Sequence, residues 1–468
     1  MSRLLIFRTN PERAQLCFAW LALAALLLIG CEETHLTATP PPLTRPRPIP
    51  LPPVAQTPAV KQPATAESEI AKLAGPVSDI LRKPEEATVG ILLPLTGTTA
   101  AFGRDLLAAA QMAVFDLADS NFELRLYDTG GQSDQARSMA IAARQEGVQI
   151  ILGPLFSDAV VAVANIARPA GIPVIAFSNN REIVGDGVYT MGFFPEDQVR
   201  RIVDFSFNRG MTRFSALAPD DVYGSRMVAA LNDTVADGGR EVMDVAYYQD
   251  ETQALTNTVK LLGRYYERRE ALLKQRRELK VRGDEISKRA LRRLEGLETL
   301  GEVEFEALLL PASGEEVLRI APLLAFYDID PSQIKLLGTW LWDDPALRTE
   351  PSMAGAWFAA PPAATRQIFV ERFKKLYKRS PDRRATLAYD ATALVIVLAQ
   401  HAARASEVSS SIYTAEALTS PGGFTGMDGI FRLRPSGLVE RGLALFEIRR
   451  DGAREIDPAP KTFDDFVN

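Results

Sequence analysis

VGILLPLTGTTAAFGRDLLAAAQMAVFDLADSNFELRLYD occupies residues 89–128, and its reading decides the fold. VGILLP (89–94) is a short, uninterrupted apolar run closed by Thr96-Gly97. GRDLLAAAQMAVFDLAD (103–119) places Leu106, Ala110, Ala113, Val114 and Leu117 at helical spacing, and LRLYD (124–128) returns to strand character. The pattern continues through a helix over 133–147, the strand IILG (150–153), a helix near 158–169 and the strand PVIAF (173–177). A strand without polar alternation has both faces covered, and helices between such strands make them parallel. A second series follows: FSALA (214–218), a helix from Tyr223, EVMDVAYY (241–248), a long helix, EALLLP (306–311), a helix from Glu315 and IKLLG (334–338). The expected fold is α/β: two doubly wound parallel-sheet lobes with a cleft between them. Ligands in such sheets sit beyond the carboxyl ends of the strands. That rule selects Phe102, Ser157, Ser178, Asn179, Tyr223, Ser313 and Trp340 as cleft candidates.

Composition narrows the function classes. The 468 residues are 47% hydrophobic and 24% charged, with a formal charge of −6, which suits a globular chain and not a general nucleic-acid binder. Two cysteines, Cys17 and Cys31, both lie near the start, and two histidines, His35 and His401, complete the soft-ligand inventory. A disulfide scaffold, a Cys-based zinc site, His-rich metal binding and a Ser-His-Asp triad are therefore not expected, and no cofactor or catalytic residue is assigned. Ser332-Gln333-Ile334-Lys335 has the S-x-x-K spacing of an acyl-transfer nucleophile, but it leads into strand-like KLLG and has no K-T-G partner.

The first 87 residues read as address, anchor and spacer. Arg3, Arg8 and Arg13 precede the apolar run CFAWLALAALLLI (17–29), which at 13 residues is shorter than the roughly 20 that span a bilayer. Leu28-Ile29-Gly30-Cys31 resembles the bacterial lipobox, so residues 1–30 are expected to be a lipoprotein signal peptide and Cys31 the lipidated residue. The alternative is an ordinary secreted chain with a chance cysteine. Glu32 follows, and by resemblance to sorted lipoproteins a residue other than Asp there permits export to the outer membrane. Ten prolines in residues 40–63 favour extended polyproline II, so 31–87 is read as lipidated cysteine plus spacer, with a proline-groove ligand as the competing reading.

VGILLPLTGTTAAFG, ILGPLFSDAV (151–160), GIPVIAFSNN (171–180), APDDVYGSRMVAAL (218–231), LAYDATALV (387–395) and GFTGMDGIFRLRPSGL (423–438) resemble, in order and spacing, the type I periplasmic binding proteins. The resemblance implies a first lobe of 88–195 and 361–437, a second of 196–360 and 438–468, and a three-stranded hinge. DTGGQ (128–132), ILGPLFS and EALLLPASGEEVLRIAPLLAFYDID (306–330) are closer to the penicillin-binding protein activator lipoproteins within that superfamily. That likeness implies a regulator of a peptidoglycan synthase, lipid-anchored on the periplasmic side of the outer membrane, and not an enzyme. The other reading is the substrate-binding lipoprotein of an ABC importer for amino acids or similar solutes. In amino-acid receptors a first-lobe Ser and backbone amides meet the carboxylate, while a second-lobe aromatic and an acid meet the ammonium. Ser157 and Ser178 stand near the first roles, unless they only cap helices. The second pair falls near Ser313 and Trp340, leaving Asp343 and Asp344 as the acids that could compensate. Trp340 and Trp342 are either cleft lining or lobe-edge packing.

Residues 260–300 form a basic insertion with thirteen Lys/Arg against seven acids and a sparse stripe of Leu272, Leu279, Ile286, Leu294 and Leu297. Gly283-Asp284 is the expected break of a helical hairpin. It is either a solvated decoration or a docking arm for an acidic protein face, an anionic wall polymer or lipid. Arg268, Arg269, Arg276 and Arg277 are the docking candidates, expected to be exposed.

Overall fold

The computed structural model describes residues 87–404 and 411–463, which lie within one compact unit, 79–468. The signal segment, Cys31 and the proline-rich stretch fall outside the described residues.

The first series builds strands β1 (Ala87–Leu93), β2 (Phe122–Asp128), β3 (Ile150–Leu152), β4 (Val174–Ala176) and β5 (Val188–Thr190). They form an all-parallel sheet in the order β2-β1-β3-β4-β5. Helices α1 (Ala100–Leu117), α2 (Ser133–Gln145) and α3 (Ser157–Ala167) connect the first four strands. The continuous apolar run of β1 is divided between two cores by the period-two alternation of a strand: Val89, Ile91 and Leu93 enter one, Leu92 the other. Both faces are thus covered, which is why no polar alternation appears in the sequence.

Helix α4 (Pro195–Asn208) leads into the second lobe. There β6 (Phe214–Pro219), α5 (Val222–Asp237), β7 (Asp244–Tyr248) and α6 (Thr252–Leu262) precede the insertion, α7 (Tyr265–Arg282) and α8 (Glu285–Leu294). Strands β8 (Ala307–Leu309), β9 (Lys335–Gly338) and β10 (Trp357–Ala360) follow, with α9 (Gly314–Phe326) between the first two. The chain then returns to the first lobe through α10 (Ala363–Tyr377) and α11 (Ala385–Arg404), the latter packed on α1. After α12 (Ala415–Leu418), β11 (Phe424–Gly426), β12 (Gly429–Leu433) and β13 (Val439–Arg441) make a small antiparallel sheet. β14 (Ala444–Arg449) and β15 (Gly452–Asp457) close the second sheet, whose order is β15-β14-β10-β9-β8-β6-β7. Three segments therefore cross between lobes, at 191–194, 361–362 and 442–443.

The two lobes repeat one device at their first strand-to-helix turn. A Cβ on Gly103 would lie 1.9 Å from the Pro94 carbonyl oxygen, and one on Gly224 would lie 2.0 Å from that of Pro219. Only glycine lets the helix start against the strand end so closely.

The expected long helix before β8 is three helices. Arg264 takes a left-handed φ of 45° between α6 and α7, and Gly283 one of 64° between α7 and α8. The expected exposure of the four arginines fails at Arg268, which is only 8% exposed. Its guanidinium donates to the carbonyls of Gly263, Gly301, Tyr327 and Asp328 and to Thr299 Oγ1. Helix ends and left-handed turns leave carbonyls unpaired, and one planar fork of five N–H groups gathers them. Arg276 likewise donates to the carbonyls of Leu294, Glu295 and Leu297 at the end of α8, and Arg269 pairs with Glu298. Of the four, Arg277 alone is exposed. The apolar stripe is also corrected: Leu272 is buried, whereas Ile286 is 81% exposed and Leu297 is exposed. The arms are held together by arginine-to-carbonyl bonds more than by that stripe.

Candidate functional site

The rim of the first lobe is built by loops after β1 to β4. Asp128, at the end of β2, accepts hydrogen bonds from the amides of Leu95 and Gly130, each at 2.8 Å, and from Thr96 Oγ1 at 2.7 Å. Burial works to raise its carboxyl, but these donors outweigh it and hold the group below the usual carboxylate range. That explains the DTGG string: one carboxylate pins two neighbouring strand-end loops. Ser157 and Ser178 come together with their hydroxyls 3.1 Å apart, and Ser178 Oγ accepts from the Asn180 amide at 3.2 Å. Ser157 is the first residue of α3, and the cap position before it belongs to Phe156. Asn179 is exposed beside this pair, and Phe102 lies half-buried with the Arg384 guanidinium 4.0 Å above its ring.

The second-lobe rim is occupied by its own contacts. Ser313 caps α9, its hydroxyl accepting from the Glu316 amide while Glu316 accepts from the Ser313 amide at 2.7 Å. Tyr223 reaches Thr339 Oγ1 at 3.3 Å, and burial raises its phenol to about 12. Trp340 belongs to neither lobe alone, since it packs against the cores of both. Its ring lies 4.9 Å from Phe193 and under the guanidinium of Arg383 at 4.6 Å, and its amide donates to Gln198 Oε1 at 2.8 Å. Trp342 is buried in the second lobe, where a Cβ on Gly338 would strike its indole.

Asp343, on the second lobe, faces two arginines of the first: Arg383 Nη1 at 3.0 Å and Arg366 Nη1 at 3.7 Å. Burial, then the charge of Arg366, lowers Arg383 to about 10. An acid so held has its charge already matched and is not free to meet an ammonium. Asp344 caps the short helical turn that follows it, accepting from the Ala346 amide at 2.9 Å. Sequence reasoning found neither Arg366 nor Arg383, because they are remote in the chain and meet Asp343 only when the lobes come together. Asp382-Arg383-Arg384 carries no periodic signal that would have singled them out.

A buried charge cluster lies at the hinge. Arg441 Nη2 donates to the Met191 carbonyl at 2.7 Å, tying two of the three crossing segments. Its guanidinium sits 4.7 Å from the Phe193 ring and 5.4 Å from that of Phe431. Asp390 and Asp428 are both buried nearby. Burial, then the charge of Asp428, raises the Asp390 carboxyl to about 7, although it accepts the Met427 amide at 2.7 Å.

The S-x-x-K spacing has no reactive geometry. Ser332 Oγ bonds Asp330 at 2.7 Å, and Lys335, in β9, donates to the Gly355 carbonyl at 2.7 Å.

A parallel sheet, a second sheet that is parallel except at its β14–β15 edge, and three crossing segments recur in solved proteins. A putative branched-chain amino acid ABC transporter protein from Rhodospirillum rubrum superposes with a TM-score of 0.63 at 17% identity, covering 79% of this chain and 99% of that one. A family model described as periplasmic binding protein matches residues 86–262. The fold is that of a type I periplasmic binding protein. Within this fold the C-domain of LpoA from Haemophilus influenzae, described as a regulator of PBP1A, superposes with a TM-score of 0.55 at 18% identity, covering 79% of this chain and 99% of that domain. Penicillin-binding protein activator LpoA of Vibrio cholerae is homologous at modest identity, 25% over 269 residues, which is 56% of this chain and 42% of that protein. The chain spans less than half the length of the curated relatives it matches. The periplasmic binding protein fold and its LpoA relatives are binding and regulatory proteins.

Proposed function

We propose that this chain is a periplasmic regulator that docks on a peptidoglycan synthase and raises its activity. The observation that carries the reading is the second-lobe half of the cleft. Ser313 is used as a helix cap, Trp340 as an interlobe contact, and Asp343 as the counter-ion of Arg383 and Arg366. A buried ammonium without an anion costs several kcal/mol, so this rim disfavours a zwitterionic amino acid. The homology to LpoA supplies the partner class. Regulation then requires that the protein bind the active state of the synthase more tightly than its resting state.

On this reading Cys31 is the lipid anchor, at the outer membrane. The stretch 40–63, at about 3.1 Å per residue, is a spacer of roughly 70 Å that carries the folded unit toward its partner. The partner-facing surface is the basic face of α8, where Lys288, Arg289, Arg292 and Arg293 are exposed.

The competing reading, an importer's solute receptor, is favoured by the paired hydroxyls of Ser157 and Ser178, which keep the first-lobe half of an amino-acid site. Two measurements separate them. Purified synthases from the same cell, assayed on lipid-linked precursor with and without this protein, are expected to gain glycan-strand or cross-link formation with one of them. Calorimetry against the twenty amino acids is expected to give no binding. A micromolar amino-acid ligand together with inert synthases would replace the regulator by the receptor.

A further inference from the structure

A pocket of about 200 Å³ opens where the base of the α7–α8 arm meets the second sheet. Ser215 is the second residue of β6, Asp244 the first of β7, and Phe305 stands two residues before β8, so the pocket lies at the amino ends of these strands. The interlobe cleft lies beyond their carboxyl ends, at the opposite edge of the sheet. Leu262, Ala271, Val303 and Phe305 give the pocket an apolar wall. Ser215 is fully buried, and its hydroxyl finds no hydrogen-bond partner among the described residues. Strand alternation aims that hydroxyl into the pocket. Phe214 and Ala216 enter the core on one face of the sheet, Leu217 joins Leu262 and Phe305 on the other, and Ser215 shares the face of Leu217. A buried hydroxyl left unmatched is costly, so a ligand group that pairs with Ser215 is favoured there. The mouth is acidic. Glu304 is paired with Arg264 at 2.6 Å, and Arg268 is spent on carbonyls and Thr299. Asp244, Glu267 and Glu302 are exposed at the rim and make no ion pair among the described residues. The lining therefore carries an excess of negative charge.

We propose that this pocket binds a small organic cation, an ammonium on a short apolar body whose far end carries a hydroxyl. The hydroxyl pairs with Ser215 Oγ at the buried end, the body lies on Leu262, Val303 and Phe305, and the ammonium stays at the mouth, where Glu267 and Glu302 meet it beside water. A charge held at the rim keeps most of its hydration, so no ion has to be buried. The volume is below the roughly 300–1,000 Å³ of drug-sized sites, which limits the body to one ring or a chain of about six carbons. A free amino acid would bring a carboxylate to the same acidic rim and is disfavoured, so this ligand is of a different class from a zwitterion in the interlobe cleft. Glu267 and Ala271 belong to α7, and Leu300 and Val303 to the segment returning from α8 to β8, so an occupant braces the base of the arm against the sheet. The site stands whether or not the chain meets a synthase.

The test is calorimetric titration of the full-length chain with tyramine and with 6-amino-1-hexanol, a ring and a chain as the two bodies that fit. Phenethylamine and hexylamine are the matched probes without the hydroxyl, and tyrosol and 1,6-hexanediol those without the amine. Wild type is expected to bind at least one hydroxylated amine, about five- to tenfold tighter than its hydroxyl-free analogue, and to bind neither amine-free analogue. Ser215→Ala removes a hydroxyl that no described protein group uses, so it is expected to keep the circular dichroism spectrum and to bind the two amines of a pair alike. Glu267→Gln combined with Glu302→Gln, both at exposed positions, is expected to weaken binding about tenfold, and added salt is expected to weaken it in wild type. The proposal is overturned by silence of wild type toward both hydroxylated amines, by a wild type without preference for the hydroxyl, or by a preference that persists in Ser215→Ala. Equal binding of the amine-free analogues, or an affinity that the double glutamine variant leaves unchanged, overturns it as well.

Discussion

Asp390 is 1% exposed, accepts the Met427 amide and shares its surroundings with Asp428 and Arg441. Its carboxyl is raised to about 7 by burial first and by Asp428 second, against an unfolded value near 4. Between those values the folded chain holds a proton that the unfolded chain has released. Folding stability contributed by this group is thus fully present below about pH 4, declines as pH rises toward 7, and changes no further above it. Asp390→Asn keeps the acceptor for Met427 and removes the titration. Melting temperatures measured from pH 4.5 to 8 are expected to fall less steeply with pH in the variant than in wild type. Parallel curves would mean that the proton is not held at Asp390. The hinge gives this its interest: Arg441, the cation facing Asp390, is the residue that ties Met191 to the third crossing segment.

At the scale of elements, the α7–α8 arm separates structural arginines from surface ones. Arg268 satisfies four carbonyls and a hydroxyl at its base. Arg268→Ala leaves those carbonyls buried and unmatched, at about 1–3 kcal/mol for each that water cannot reach. Urea unfolding is expected to register a loss on the order of 3 kcal/mol for Arg268→Ala and within about 0.5 kcal/mol for Arg277→Ala, because Arg277 is exposed. Equal effects would put the arm's stability elsewhere. Charge reversal as a test of docking therefore belongs on α8. Lys288, Arg289, Arg292 and Arg293, changed together to Glu, are expected to leave the fold intact and to weaken capture of the partner. In wild type that capture should fall with salt, since exposed charges are screened over about 8 Å at physiological ionic strength. If the folded quadruple variant captures its partner as wild type does, the arm is a solvated decoration and the docking surface lies elsewhere.

For the whole molecule, the lobes meet through Trp340, the Asp343 ion pairs and Arg181, which pairs with Asp197 at 2.7 Å. Trp340 packs at a tilt against Phe193 of the crossing segment and beneath Arg383 of the first lobe, so one second-lobe side chain bears on the angle between the two bodies. Removing a half-buried Trp ring costs on the order of 2–3 kcal/mol, less than the full core value. Most of that loss should appear as freedom between the lobes, because the lobe cores are built on other residues. Small-angle scattering of Trp340→Ala is expected to give a larger radius of gyration with secondary structure unchanged. A scattering curve that superposes on wild type would show that the ion pairs alone hold the angle.

The sequence by itself determined the two series of alternating strands and helices, while their order within each sheet came from the tertiary structure. A doubly covered strand must be apolar throughout, and VGILLP, IILG, PVIAF, FSALA and EALLLP each carry that mark in a few contiguous residues. It also determined the hairpin break at Gly283-Asp284, because a left-handed turn followed by a helix cap is a local requirement. The positions of Ser157 and Ser178 just beyond strand ends were legible for the same reason, though not that their hydroxyls meet. The pairs that give the site its character were not legible. Asp343 with Arg366 and Arg383, Trp340 with Phe193, and Arg441 with Met191 join residues from different lobes or crossing segments. The four insertion arginines illustrate the same limit. They are alike in the sequence, yet Arg268 is buried and Arg277 exposed. Burial of a charge is settled by which carbonyls happen to be left unpaired around it, and only the closed tertiary structure brings those carbonyls together.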